Sequence, residues 1–175
     1  VTERRPPADL AQLRLLVLDV DGVLTDGTVL YGTGLEEVKA FHTRDGAGLA
    51  LWRDAGLLTT FITGRGGDSV QRRAQELRIG RIWERARDKT AAFDEMLAHF
   101  GVTESQTVVM GDDVPDLRML ERAGFAAAPA DASPDVLPRV HLVTRAPGGR
   151  GAVRELIEHI LRATGRWDAL LDAVR

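Results

Sequence analysis

The chain has 175 residues, enough for one domain with its own buried core. Apolar residues make up 44% and charged residues 28%, ordinary globular values that argue against disorder. The 23 Lys and Arg against 26 Asp and Glu leave a formal charge of −3, so no basic field marks a nucleic-acid partner; with no Cys, a disulfide scaffold, a thiolate zinc site and cysteine catalysis are excluded.

Residues 1–13 carry Arg4, Arg5, Pro6 and Pro7 and no long apolar stretch, which predicts a loosely held arm rather than a secretory signal. Residues 14–175 read as a single domain. Leu15 to Val20 is an apolar run without alternation, the mark of a strand buried on both faces. Leu57 to Ile62 and Thr107 to Met110 have the same character, and Phe125 to Ala128 and His141 to Thr144 a weaker form of it. Between them lie helical patterns: Leu49, Leu51 and Trp52; Val70, Ala74 and Leu77; Ala92, Met96 and Phe100; Leu117, Leu120 and Ala123; and Val153, Ile157, Ile160 and Leu161. Strands alternating with helices predict a Rossmann-like three-layer α/β sandwich with a central parallel sheet. One segment breaks the alternation. Residues 27–41 carry two short extended runs around Gly32-Thr33-Gly34 and predict a β-hairpin insertion. Residues 146–175 predict a flexible Gly-rich loop followed by the last helices. No apolar run approaches the roughly 18 residues of a membrane span, so no membrane partner is expected, and the Cys-free composition fits a cytoplasmic protein.

The chemistry concentrates at strand ends. Asp19-Val20-Asp21-Gly22 follows the first buried strand, where ligands of an open α/β sheet bind. Ile62-Thr63-Gly64-Arg65 follows the second. Lys89 opens a helix, and Gly111-Asp112-Asp113 with Asp116 follows the strand that ends at Met110. Each alone has a plainer reading, as a cap, a turn or a solvated charge. In this order on one sheet they are specific. His42, His99, His141 and His159 show no metal-ligand spacing, and Trp83 and Trp167 read as packing residues.

This set resembles the haloacid dehalogenase superfamily, with Asp19 and Asp21 matching its first motif, Thr63 its second, Lys89 its third and Asp112-Asp113 its fourth. The resemblance implies a phosphatase in which Asp19 is the nucleophile and forms an aspartyl-phosphate, while Asp21 acts as general acid and then base. It also implies Mg²⁺ held by Asp19, the Asp21 backbone carbonyl and Asp112, with Thr63 and Lys89 on the phosphoryl oxygens and Asp113 and Asp116 orienting their neighbours. A receiver domain, the alternative from another class, uses similar residues, but places its acidic pair first and its phospho-acceptor alone at a later strand end. An inactive scaffold has no need for such a cluster of like charges.

The segments between these motifs leave no room for a cap domain. Asp19 to Gly27, Glu36 to Phe41, Arg44 to Gly48, Ile62 to Arg65, Ala130 to Ala132 and Gly148 to Glu155 resemble the phosphatases of 3-deoxy-D-manno-octulosonate 8-phosphate (KDO 8-phosphate) and of related nine-carbon acids. That narrower resemblance implies a phosphorylated sugar acid as substrate and a homotetramer built around the hairpin, with the Gly-rich tail reaching a neighbouring site. It offers His42, Thr43, Arg44, Asp45, Gly46, Arg65, Arg73, Lys89 and Arg150 as substrate contacts, since a guanidinium fork suits oxyanions. Three positions depart from that pattern: His42, where Asn is usual, Thr43, where Val is usual, and Ala50, where the octulosonate enzymes tend to carry Arg. They bear on which sugar acid fits.

Overall fold

The computed structural model describes residues 7–34 and 36–174. Six strands form one parallel sheet in the order β5-β4-β1-β6-β7-β8. They are β1 (Leu15–Leu18), β4 (Leu58–Ile62), β5 (Ile82–Trp83), β6 (Thr107–Met110), β7 (Phe125–Ala128) and β8 (Leu142–Val143). Strand β1 sits centrally, and all four of its residues are fully buried. That is why the run lacks alternation: both of its faces need apolar side chains.

The two faces are covered by different helices. Leu16 and Leu18 share a core with α1 (Thr43–Asp54), α2 (Asp68–Glu76) and α5 (Ala152–Ala163), through Leu49, Trp52, Val70, Leu156 and Ile160. Leu15 and Val17 face α3 (Lys89–Phe100) and α4 (Leu117–Arg122), through Phe93, Met96, Met119 and Leu120. The result is the three-layer α/β sandwich expected. The last helix, α6 (Trp167–Val174), joins the first core through Trp167. No helix of the described residues is long and apolar enough to cross a membrane.

Between β1 and β4 stand only the hairpin and α1; between β4 and α3 stand only α2 and β5. No cap domain is present there among the described residues. The hairpin is shorter than the expected span. It pairs β2 (Leu30–Tyr31) with β3 (Glu37–Val38), Leu30 opposite Val38 and Tyr31 opposite Glu37. Val29, Leu30, Tyr31 and Val38 are exposed, whereas Phe41 packs against the core under the Arg73 guanidinium, 5.5 Å from its ring centre.

Two segments are held more firmly than their composition implies. Residues 1–6 of the expected arm lie outside the described residues. In the remainder, the Ala8 N–H donates to the Gly124 carbonyl at 2.8 Å, and Leu13 is buried. The Gly148-Gly149 stretch, expected to be flexible, is docked. Gly148 N–H donates to Asp131 Oδ1 at 2.9 Å, and Gly149 N–H to the Val23 carbonyl at 2.9 Å. A Cβ on Gly148 would overlap the Gly22 carbonyl, and one on Gly149 would crowd the Thr25–Asp26 backbone. Here glycine serves close approach of two backbones rather than mobility.

Candidate active site

The parallel registers bring three strand ends level. Leu18 pairs with Phe61 of β4 and with Met110 of β6. Asp19, Thr63 and Asp112 therefore emerge together at the carboxyl edge of the sheet. They line one cleft of about 760 Å³ with Asp21, Lys89 and Asp116.

Local structure fixes each group. After Asp19 the chain turns through Gly22 at φ +94°. Thr25 Oγ1 ties that turn, donating to the Val20 carbonyl at 3.3 Å and accepting the Gly27 N–H at 3.2 Å. A Cβ on Gly22 would overlap the Asp112 carboxylate, so the glycine makes the room that Asp112 occupies. Thr63 is buried, and its Oγ1 accepts the Arg65 N–H at 3.2 Å. Lys89 is set by the cap before it: Asp88 Oδ1 accepts the N–H groups of Thr90 and Ala91 and starts α3. Asp116 is 1% exposed. Its Oδ2 accepts the Asp112 N–H at 3.1 Å and the Asp113 N–H at 3.4 Å, and its Oδ1 accepts from Lys89 at 2.6 Å. It thus orients the acidic loop and the lysine. Asp113 is exposed and turns to the Val114 N–H.

Crowded, buried carboxylates resist ionisation. Burial, and then the charge of Asp116, push Asp19 from its ordinary 3.8 up to about 6, although Lys89 opposes them. Burial, then Asp19 and Asp116, push Asp112 up to about 8. Lys89 remains a cation: burial would lower its pKa, but the charges of Asp19 and Asp116 outweigh burial and raise it.

Carboxylate oxygens of Asp19, Asp112 and Asp116 lie within 4.8 Å of one another. Asp112 Oδ1 and Asp21 Oδ2 are buried without a hydrogen-bond partner among the described residues. An all-oxygen donor set with orphaned acceptors and excess negative charge fits a hard divalent cation.

The expected substrate contacts divide four ways. Arg65 and Lys89 line the cleft. Arg44 and Arg150 do not; they line a separate hollow of about 410 Å³ beside Arg145 and Arg154. Asp45, Gly46 and Arg73 serve the chain's own packing. The Asp45 carboxylate is 1% exposed and accepts the Gly151 N–H at 3.1 Å and the Arg154 N–H at 2.8 Å, satisfying the start of α5. Gly46 leaves space for Arg73, whose Nη2 donates to the His42 carbonyl at 3.4 Å. Within the single chain the three lie outside the cleft, with their polar groups engaged or enclosed by the chain's own packing. His42 precedes α1, with Nδ1 3.9 Å from Asp45 Oδ2, and Thr43 is exposed on the first turn. Neither lines the cleft.

Sequence reasoning missed Lys39. Its Nζ pairs with Asp21 Oδ1 and with Glu37 Oε1, and its side chain is 2% exposed. Burial works against its charge, but the bonds to Asp21 and Glu37 prevail and raise its pKa. Glu37 is held in turn by Arg65 at 2.9 Å, and the bonds from Arg65 and Lys39 lower it to about 2. Glu37 and Lys39 are two apart in an extended segment and so share a face, which was the available signal. Arg87, Thr90 and Arg118, also overlooked, complete the cleft wall.

Residues 79–156 match the family model of the haloacid dehalogenase-like hydrolases. The 3-deoxy-D-manno-octulosonate 8-phosphate phosphatase KdsC of Escherichia coli (strain K12) is 39% identical over 161 residues, covering 92% of this chain and 86% of that protein. The crystal structure of the phosphatase of that name from Yersinia pestis superposes with a TM-score of 0.88 at 40% identity, covering 91% of this chain and 86% of its own. The Moraxella catarrhalis enzyme, solved in complex with magnesium ion, phosphate ion and a KDO molecule, superposes with a TM-score of 0.91 at 35% identity, covering 95% of each chain. The chain therefore belongs to the haloacid dehalogenase-like hydrolases, as a phosphatase similar to the KDO 8-phosphate phosphatases.

Proposed function

We propose that the protein is a Mg²⁺-dependent phosphomonoesterase that releases phosphate from a phosphorylated sugar acid, KDO 8-phosphate first among the candidates, through an aspartyl-phosphate on Asp19. The observation that carries this reading is the convergence of Asp19, Asp21, Thr63, Lys89 and Asp112 on one cleft at the carboxyl edge of the sheet. The relatives named for KDO 8-phosphate, and the neighbour holding magnesium, phosphate and KDO, support the substrate and the metal.

Asp19, Asp112 and the backbone at Asp21 would hold the cation. Bound there, Mg²⁺ supplies charge neutralisation for an anionic carboxylate meeting an anionic phosphate. The chain's own groups do the rest. An Asp19 oxygen forms a bond to phosphorus as the ester P–O bond breaks, and Asp21 gives its proton to the departing sugar oxygen. In the second step Asp21 takes a proton from water, whose oxygen bonds to phosphorus and frees Asp19. Lys89 and Thr63 hold phosphoryl oxygens, and Lys39 keeps Asp21 aimed at the bond being cleaved.

The hairpin supports a homotetramer. Val29, Leu30, Tyr31 and Val38 are exposed apolar side chains, with Leu30 and Val38 on one face of the hairpin and Tyr31 on the other, and their burial between copies is favourable. Arg44 and Arg150, outside their own chain's cleft, then serve a neighbour's. The Mg²⁺-rich cytoplasm suits this chemistry.

The test is phosphate release from a panel of phosphorylated sugar acids, with and without Mg²⁺, for the wild-type and Asp19→Asn proteins. The expected result is Mg²⁺-dependent turnover of KDO 8-phosphate that Asp19→Asn abolishes. Turnover surviving Asp19→Asn at near wild-type rate would sink the covalent mechanism.

A further inference from the structure

The cleft holds four basic side chains: Arg65, Arg87, Lys89 and Arg118. Two are committed, Lys89 to Asp19 and Asp116, and Arg65 to Glu37. Arg87 and Arg118 are exposed and have no ion-pair or hydrogen-bond partner among the described residues. The nearby rim acids do not answer them: Asp88 turns to the N–H groups of Thr90 and Ala91, and Asp113 to that of Val114.

Their placement also runs against local electrostatics. Arg118 stands in the first turn of α4, and Arg87 just precedes the cap of α3. Helix starts favour anions and disfavour cations. Two unpaired guanidinium groups, from separate elements, reach one cleft from positions where neither aids its helix. Such local conflicts mark functional positions when a ligand supplies the compensation.

We propose that Arg87 and Arg118 form a second anion subsite, which reads a carboxylate on the body of the substrate while Lys89 and Thr63 face the phosphate. This rests on the phosphatase reading of the same cleft and adds a specificity element supplied within one chain. A guanidinium fork discriminates a carboxylate from a hydroxyl by charge-assisted, paired hydrogen bonds. A sugar phosphate with no acid group gains nothing from it.

The experiment compares wild-type protein with Arg87→Gln, Arg118→Gln and the double variant on two esters: KDO 8-phosphate and the neutral-bodied mannose 6-phosphate. For the acid, the double variant is expected to raise KM about tenfold or more and to leave kcat within about twofold. KM for mannose 6-phosphate is expected to stay unchanged. Equal shifts for both esters, or no shift for either, would overturn the subsite. Calorimetric binding of KDO 8-phosphate to Asp19→Asn protein, with and without the two arginine substitutions, reads the subsite without turnover. Weaker binding on loss of the arginines supports the subsite even if the wild-type protein hydrolyses no ester, the outcome that would sink the phosphatase reading alone.

Discussion

Lys89 Nζ lies 2.6 Å from Asp116 Oδ1, and the same nitrogen is 2.8 Å from Asp19 Oδ1. One largely buried cation thus serves two buried carboxylates, of which Asp19 follows β1 at the cleft and Asp116 organises the 112–113 loop. The lysine is a structural counter-ion in addition to the phosphate ligand proposed above.

Lys89→Met should therefore cost both activity and stability. Removing one partner of a buried charge cluster typically costs about 3–5 kcal/mol, because the remaining charge is left uncompensated. Turnover should fall at least about 100-fold with the loss of a cation at the developing charge. Urea unfolding should show a smaller stability loss at about pH 5 than at pH 8, since Asp19, already raised to about 6, takes a proton instead.

The raised carboxylates set a pH dependence of stability. Asp19 at about 6 and Asp112 at about 8 hold protons more tightly in the folded chain than at their ordinary 3.8. Between about pH 4 and pH 8 the folded state binds more protons than the unfolded one, so the contribution of these groups falls as pH rises. Glu37, lowered to about 2, acts in the opposite sense but only below its ordinary 4.5. Without Mg²⁺, Tm should decline from about pH 5 to pH 8. Added Mg²⁺ should raise Tm more at pH 8 than at pH 5, because protons compete for the same oxygens. Thermal scans across that range check both signs. A Mg²⁺ effect that does not depend on pH would contradict the assignment of Asp112 as a ligand.

Lys39→Met should uncouple Asp21 from its anchor. Turnover of a sugar phosphate, whose leaving alkoxide needs a proton, should fall about 10–100-fold. Turnover of para-nitrophenyl phosphate, whose leaving group departs without one, should fall far less. Steady-state assays with the two esters make the comparison, and equal losses would reduce Lys39 to a folding role.

Tyr31→Asp places a charge on the exposed hairpin face, where the tyrosine is 65% exposed in the single chain. If four copies bury that face, light scattering should show the variant dissociating while each chain stays folded by circular dichroism. An unchanged mass would remove the hairpin from the interface.

The sequence made the sheet legible because a strand buried on both faces must be apolar throughout, as Leu15 to Leu18 are. The acidic motifs were legible because topology places the residue after each such strand at one edge. The substrate contacts were harder. A sequence names a guanidinium but not its partner: Arg73 bonds the His42 carbonyl over Gly46, and Asp45 holds the start of α5. Both depend on helix packing between segments far apart in the chain. Lys39 and Arg118 escaped notice for the converse reason, since their importance lies in what surrounds them and not in a motif.

The contact of Gly148 and Gly149 with the Gly22–Asp26 turn has a consequence for how the protein is made. On the ribosome, the Asp19–Asp21 turn leaves the exit tunnel well before the Gly-rich stretch that packs on it. Strand β1 likewise waits for β6 to fill its second edge. A nascent chain carrying both Asp19 and Asp21 thus lacks the backbone that packs against their turn until residues 148 and 149 have been added. Premature termination shortly before residue 148 would leave every acidic motif present in a chain whose first turn has nothing to close against.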